Sequence, residues 1–364
     1  MKAGDVLQRT SHAADEIFPT NRAVTRWCRT LILSVVPLSV LDLSPVGASS
    51  TPRQAILDSV ALARDCDALG YTRYWVAEHH SMANIATSAP EVLIAHIAAT
   101  TTRIRVGAGG IMLPNHNPLR VVEIFRTLEA LHPGRIDLGL GRAPGTDPVT
   151  ASALRRGPAD DPNNRLAEVL AFANGTFPAD HPYRSVVPMP SDVPLPPIWM
   201  LGSTLEGASI AASLGVRYAF AGHFAMRNAK AAIAWYQEQF KASPDLARPY
   251  AMLAVTVVCG PDDEEAQRLA APIRLAVVRN RTGRRAPIAS IEEALAHRFT
   301  PEEEAIAADF LLGAIIGGPQ TVVDGLAALA RDTGADELML STLLPDREDR
   351  LHSYERVSRA AGLS

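Results

Sequence analysis

Cysteine is scarce in this chain: Cys28, Cys66 and Cys259 lie far apart and form no CxxC pair. That excludes a disulfide framework and a cysteine-rich zinc site, and it suits a reducing, cytoplasmic compartment. An excess of basic charge is missing too, since 35 Lys and Arg stand against 39 Asp and Glu. A balance of that sign excludes nucleic acid as the main partner, because phosphate binding needs a basic face. No apolar run is long enough to span a bilayer. There is no His-x-His and no HExxH, so the usual sequence marks of a catalytic metal are absent.

What is present is an ordinary globular composition, 47% hydrophobic and 20% charged, enough to bury a full core. Arg22, Arg26 and Arg29 precede an apolar stretch at 31–36, and Gly47-Ala48-Ser49 follows, a superficial likeness to a secretory signal. Pro37 interrupts that stretch, and cleavage near Ala48 would remove the first strand. Residues 1–29 therefore read as an N-terminal extension and residues 30–364 as one domain.

From residue 31 onward, strand-like and helix-like segments alternate. Strands are expected at 38–43, at 74–78, and at 104–107, 135–140, 198–201, 217–221, 252–259 and 337–341. Between them lie helical patterns, the first opened by Thr51 as N-cap with Pro52 in the first turn. Repeated βα units favour a parallel sheet, and eight of them point to a single (β/α)8 TIM barrel. Residues 280–335 do not fit the alternation. They read as an insertion between strands 7 and 8, on the catalytic face, where lids commonly reside. Arg279, Arg281, Arg284 and Arg285 open it, either as a solvated charged loop or as part of a lid that holds an anion.

Chemistry-bearing residues gather at strand ends. Trp75-Val76-Ala77-Glu78-His79-His80 closes the second strand with one carboxylate and two histidines. Adjacent strand residues point to opposite faces, so two adjacent histidines do not readily share one metal ion. Acid/base or hydrogen-bonding work suits a histidine near neutrality, and a purely structural His80 turned toward a helix is the alternative for that residue. Gly107-Ala108-Gly109-Gly110 and Gly139-Leu140-Gly141-Arg142-Ala143-Pro144-Gly145 follow the third and fourth strands. The second run nearly matches GxGxxG, but its last glycine comes one residue late and Pro144 keeps a helix from starting at once. Such glycines let backbone lie close to a flat ligand, and Arg142 adds a permanent cation suited to phosphate. Leu201-Gly202-Ser203-Thr204 leads into a helix, whose free N–H groups favour an anion.

In order, WVAEHH at 75–80, RVGAGGIMLPNHNPLR at 105–120, GRIDLGLGRAPGTDP at 134–148 and WMLGSTLEGASIAASLG at 199–215 resemble the bacterial luciferase-like flavin monooxygenases. The resemblance runs from about Leu38 to the C-terminus. It is strongest to a branch that includes an epoxidase of aromatic polyketide (mensacarcin) biosynthesis. It implies His79 as the active-site histidine and Gly109-Gly110 as a segment carrying a non-proline cis peptide against the flavin ring. It implies Gly141, Arg142, Leu201, Gly202, Ser203 and Thr204 as cofactor-binding, with Arg142, Ser203 and Thr204 on the phosphate. Gly207 stands where luciferase has a threonine, and Gly141 replaces a reactive cysteine.

The implied activity is oxygenation of a small organic substrate, epoxidation or hydroxylation of an aromatic polyketide among the outcomes. Reduced FMN would come from a separate flavin reductase, with O2 as co-substrate and a flavin hydroperoxide as the oxidant. No resident metal, nucleic acid or membrane is expected, and a homodimer is. The rival readings are an F420-dependent hydride-transfer oxidoreductase and a non-catalytic flavin-binding protein.

Overall fold

The computed structural model describes residues 36–154 and 162–363. The expected extension at 1–29 lies outside the described residues. Eight parallel strands close into a barrel with helices between them: β1 Leu38–Asp42, β2 Arg73–Val76, β3 Arg105–Ala108, β4 Ile136–Gly141, β5 Ile198–Gly202, β6 Arg217–Phe220, β7 Ala251–Cys259 and β8 Glu337–Ser341. Each strand pairs with the next, and β8 closes the ring against β1, with Leu38 opposite Leu338. Two short strands lie outside the ring order, Ile111–Met112 beside β4 and Ile315–Gly317 beside β7.

The outer helices begin where the sequence supplies caps. In α1 (Pro52–Ala68) the Thr51 side chain accepts the N–H of Gln54, with Pro52 in the first turn. After α2 (Pro90–Thr100), α3 (Pro118–Leu131) is capped by Asn117. The next elements are α4 (Pro148–Leu154), α5 (Pro162–Asn174), α6 (Leu205–Leu214), α7 (Gly222–Ala225) and α8 (Ala229–Gln239). A 3₁₀ turn at Met226–Asn228 precedes α8, so that helix starts only at Ala229.

Between β7 and β8 the chain adds α9 (Asp263–Arg281), α10 (Ile291–Ala296) and α11 (Pro301–Phe310) before α12 (Pro319–Thr333), and α13 (Arg347–Ala361) ends the fold. Helix α12 contacts α8 and α13 in the outer ring, whereas α9 packs chiefly on α10 and α11. The additional layer over the barrel is therefore α9 to α11.

The barrel interior is layered, which fixes where a ligand can sit. At the base, Asp137 and Glu337 are fully buried, and Arg73 bridges them at 2.8 Å and 2.9 Å. Arg105 adds a 2.7 Å bond to Asp137, and the Tyr250 hydroxyl donates to Glu337 at 2.9 Å. Burial alone would raise the pKa of Asp137, but Arg73 and Arg105 hold it below the usual carboxylate range. Above this ionic layer Trp75 and Trp199 meet edge to face at 5.2 Å, with Leu41, Met252 and Met339 in the same cluster. This apolar layer forms the floor of the cavity above it.

Candidate active site

A cavity of about 520 Å³ opens at the C-terminal end of the strands, the end where barrel enzymes place their chemistry. Strand alternation decides which residues reach it. Trp75, Ala77 and His79 point inward and line the cavity, while Tyr74 and Val76 pack outward into the main core. The alternation continues past the end of β2 at Val76, and it separates the two histidines.

Glu78 and His80 lie off the cavity. Glu78 is fully buried and accepts from His80 Nε2 at 2.8 Å, His116 Nε2 at 2.8 Å, the Met112 N–H at 2.8 Å and Asn115 Nδ2 at 3.1 Å. Burial pushes the Glu78 carboxyl up, but the bonds and charge from His116, Met112 and His80 outweigh it and lower its pKa. His116 is the complement: burial alone would lower its pKa, and Glu78 raises it. His80 is thus held as a structural partner. Glu78 also ties the end of β2 to the segment that follows β3.

His79 is different. Burial pushes its pKa down to about 4, with Glu78 acting weakly against the shift. Its Nδ1 is buried and has no hydrogen-bond partner among the described residues. At neutral pH it is an uncharged imidazole facing the cavity, with one N–H and one lone pair.

Next to it, at the end of β3, the peptide between Gly109 and Gly110 is cis. A Cβ on Gly109 would come within 2.8 Å of Leu41 Cδ1, and one on Gly110 within 2.8 Å of the Gly139 carbonyl oxygen. Those contacts are with packed protein atoms, so a larger residue at either place would have to shift its neighbours. At Gly141 a Cβ would meet Met112 Sδ at 2.5 Å, so a side chain there would have to displace the end of Met112.

Another part of the lining brings a cation together with the start of a helix. Arg142 follows β4, Leu201 and Gly202 end β5, and Ser203 and Thr204 lead into α6. The Thr204 hydroxyl caps α6 by accepting the Gly207 N–H at 3.4 Å, and the remaining first-turn donors have no partners within the helix. The Arg142 guanidinium is four-fifths buried and donates to Glu206 at 2.9 Å and to Asn163 at 3.3 Å. All the sequence-predicted site residues except Gly110 line this one cavity.

Several residues escaped the sequence reading. Glu206 holds Arg142, and His223 faces the cavity from the end of β6. Ile273, Val277 and Phe310 roof it from α9 and α11. Ala219, Phe220 and Ala221 also line the cavity ahead of His223, which sits in the short helix α7, so strand alternation gives no signal for it.

Of the arginine cluster, Arg279 pairs with Glu293 at 2.5 Å and Arg284 lies 3.9 Å from Glu303. Arg285 pairs with Asp147 at 2.8 Å and donates to Ser81 at 3.2 Å, and Arg281 lies on the cavity rim.

Comparison with known proteins agrees with this geometry. The family model for luciferase-like monooxygenases matches residues 36–337. A "Luciferase-like monooxygenase" of Escherichia coli K12 is 40% identical over 320 residues, covering 88% of this chain and 95% of that protein. An "N-acetyl-S-alkylcysteine monooxygenase" of Bacillus subtilis 168 is 32% identical over 330 residues, covering 90% and 98%. Among solved structures, apo-MsnO8 superimposes with a TM-score of 0.83 at 37% identity, over 91% of this chain and 99% of that one.

Proposed function

Because the chain belongs to the luciferase-like monooxygenase family, we propose that it oxygenates a small organic substrate with molecular oxygen, using reduced FMN delivered by a separate flavin reductase. The carrying observation is a single cavity that joins an anion cradle at Arg142 and α6 to a neutral His79 beside the Gly109–Gly110 backbone surface. The residues present fit FMN. Arg142, Ser203, Thr204 and the start of α6 would hold the phosphate, and the Gly109 end of the cis-peptide segment would lie against the ring. Reduced FMN, when bound, supplies the electrons that activate oxygen.

The chain's own residues supply the environment. The Trp75–Trp199 floor and the α9–α11 roof exclude water from the reacting end. With a pKa near 4, His79 is a weak resting base, so its work at neutral pH is to share a hydrogen bond from the side of the ring that lines the cavity. It can still take a proton transiently in a transition state. Epoxidation or hydroxylation, as on an aromatic polyketide, suits the apolar walls. A cytoplasmic homodimer completes this reading, and sedimentation showing only monomer would remove the dimer from it.

Anaerobic protein loaded with chemically reduced FMN and mixed with oxygen gives the test. Oxidised FMN should reappear more slowly than from free FMN, and His79→Ala should shorten the delay. Immediate reappearance in the wild type sinks the reading. The rival is F420-dependent hydride transfer, since an F420-dependent alcohol dehydrogenase has the same fold at 13% identity. Tight binding of F420 with no oxygen uptake on turnover would favour it.

A further inference from the structure

Beyond the flavin-facing wall, the cavity has a second half with its own character. The barrel has eight strands in ring order, so β6 stands directly across from β2. His79 follows β2 and His223 follows β6, and the two enter one cavity from opposite walls. From β6 round to β1 and under the roof, the lining is Leu41, Leu43, Ala254, Met339, Val277 and Phe310. Asn84 reaches this region from the loop after β2, and Asn280 and Arg281 lie exposed at its rim.

His223 is the imidazole set into this apolar half. Its Nδ1 is buried and has no hydrogen-bond partner among the described residues. Burial, with His79 adding a smaller push, takes its pKa down to about 4. The buried Nδ1 offers no surface to a ligand, so contact with one falls to the side of the ring that lines the cavity. Ligand pockets commonly join an apolar wall to a few placed polar groups that fix orientation.

We infer that His223 is the hydrogen-bonding anchor for the organic substrate, and that this substrate is an uncharged, largely apolar molecule carrying a hydroxyl, carbonyl or comparable group. The inference rests on the flavin reading for one point only, which half of the cavity the cofactor leaves free. His79 then serves the flavin side and His223 the substrate side. A hydroxyl on an aromatic or alicyclic body would sit against His223, with the body against Met339, Val277 and Phe310.

The test uses two probes of one shape, 2-naphthol and 2-methylnaphthalene, titrated into the full-length protein loaded with oxidised FMN. Wild type should prefer 2-naphthol about tenfold, equivalent to about 1.4 kcal/mol. His223→Phe should abolish that preference while leaving 2-methylnaphthalene binding within about twofold. His223→Gln, which keeps a donor and an acceptor, should retain part of it and covers the case in which the phenylalanine variant does not fold. Asn84→Ala should retain all of it. No preference in wild type, or an undiminished preference in both His223 variants, overturns the inference. FMN titration of the same proteins separates the two readings. Absence of FMN binding removes the flavin reading, whereas the probe preference, measured also without FMN, stands or falls on His223.

Discussion

Arg142→Met offers the sharpest quantitative test of the anion cradle. The guanidinium is four-fifths buried beside the start of α6, so a phosphate there would gain a charge-assisted hydrogen bond. Such a bond is worth about 1.5–3 kcal/mol, or roughly ten- to a hundredfold in Kd. The lower part of that range applies, because Arg142 already donates to Glu206 and Asn163 in the ligand-free protein and exchanges one partner for another. Methionine keeps an unbranched apolar stem, though a shorter one, and removes the charge and the donors. FMN and riboflavin, which differ by the phosphate alone, are titrated side by side by quenching of flavin fluorescence. FMN should weaken about tenfold in the variant, riboflavin should hardly change, and the difference should shrink as salt rises. Equal weakening of both ligands would place Arg142 on the ring or in the fold. No change in either would remove it from the site.

Three other outcomes follow from the same geometry. Glu206→Gln should tighten FMN and leave riboflavin unchanged, because the Glu206 carboxylate competes for Arg142 at 2.9 Å; weaker FMN binding would show instead that Glu206 positions the arginine. Glu78→Gln should cost about 3 kcal/mol in urea unfolding, as expected when a buried charge pair is broken. Because Glu78 raises the His116 pKa, that variant should also lower it, read by NMR titration, and an unmoved His116 would refute the pairing. The third concerns acid. His79 and His223 titrate near 4 in the folded chain against about 6.5 unfolded. Above that value both are neutral in either state. As pH falls, the unfolded chain takes protons first, so stability drops between about 6.5 and 4, by up to about 3 kcal/mol for each group. His79→Gln with His223→Gln should flatten this acid limb relative to wild type, and an unchanged slope would contradict the assignment.

Much of the barrel is legible in the sequence, because eight βα units repeat with capped helices and apolar strands. Alternation along β2 likewise separates His79 from His80 before any coordinates. The limits are physical. A helix boundary near 226 depends on a 3₁₀ turn that propensity does not mark. The partners of Glu78 come from the segment after β3, and only the folded register brings His116 and Met112 to it. His223 was missed because it follows β6 without a neighbouring carboxylate or glycine run to draw notice. Its role is set by the strand opposite, which a reading along the chain does not see. Glu206 reads as an ordinary first-turn acid of a helix, and its contact with Arg142 crosses from β4 to β5.

The layered floor bears on traffic. With Trp75 and Trp199 packed edge to face, and Arg73, Asp137 and Glu337 locked together beneath them, the barrel is a blind well, closed at the bottom. Whatever enters must come from the C-terminal end of the strands. On the proposed reading, the flavin along β3 to β5 and the substrate on the β6 to β1 side share that one approach. The two would then load and leave in sequence rather than by separate routes.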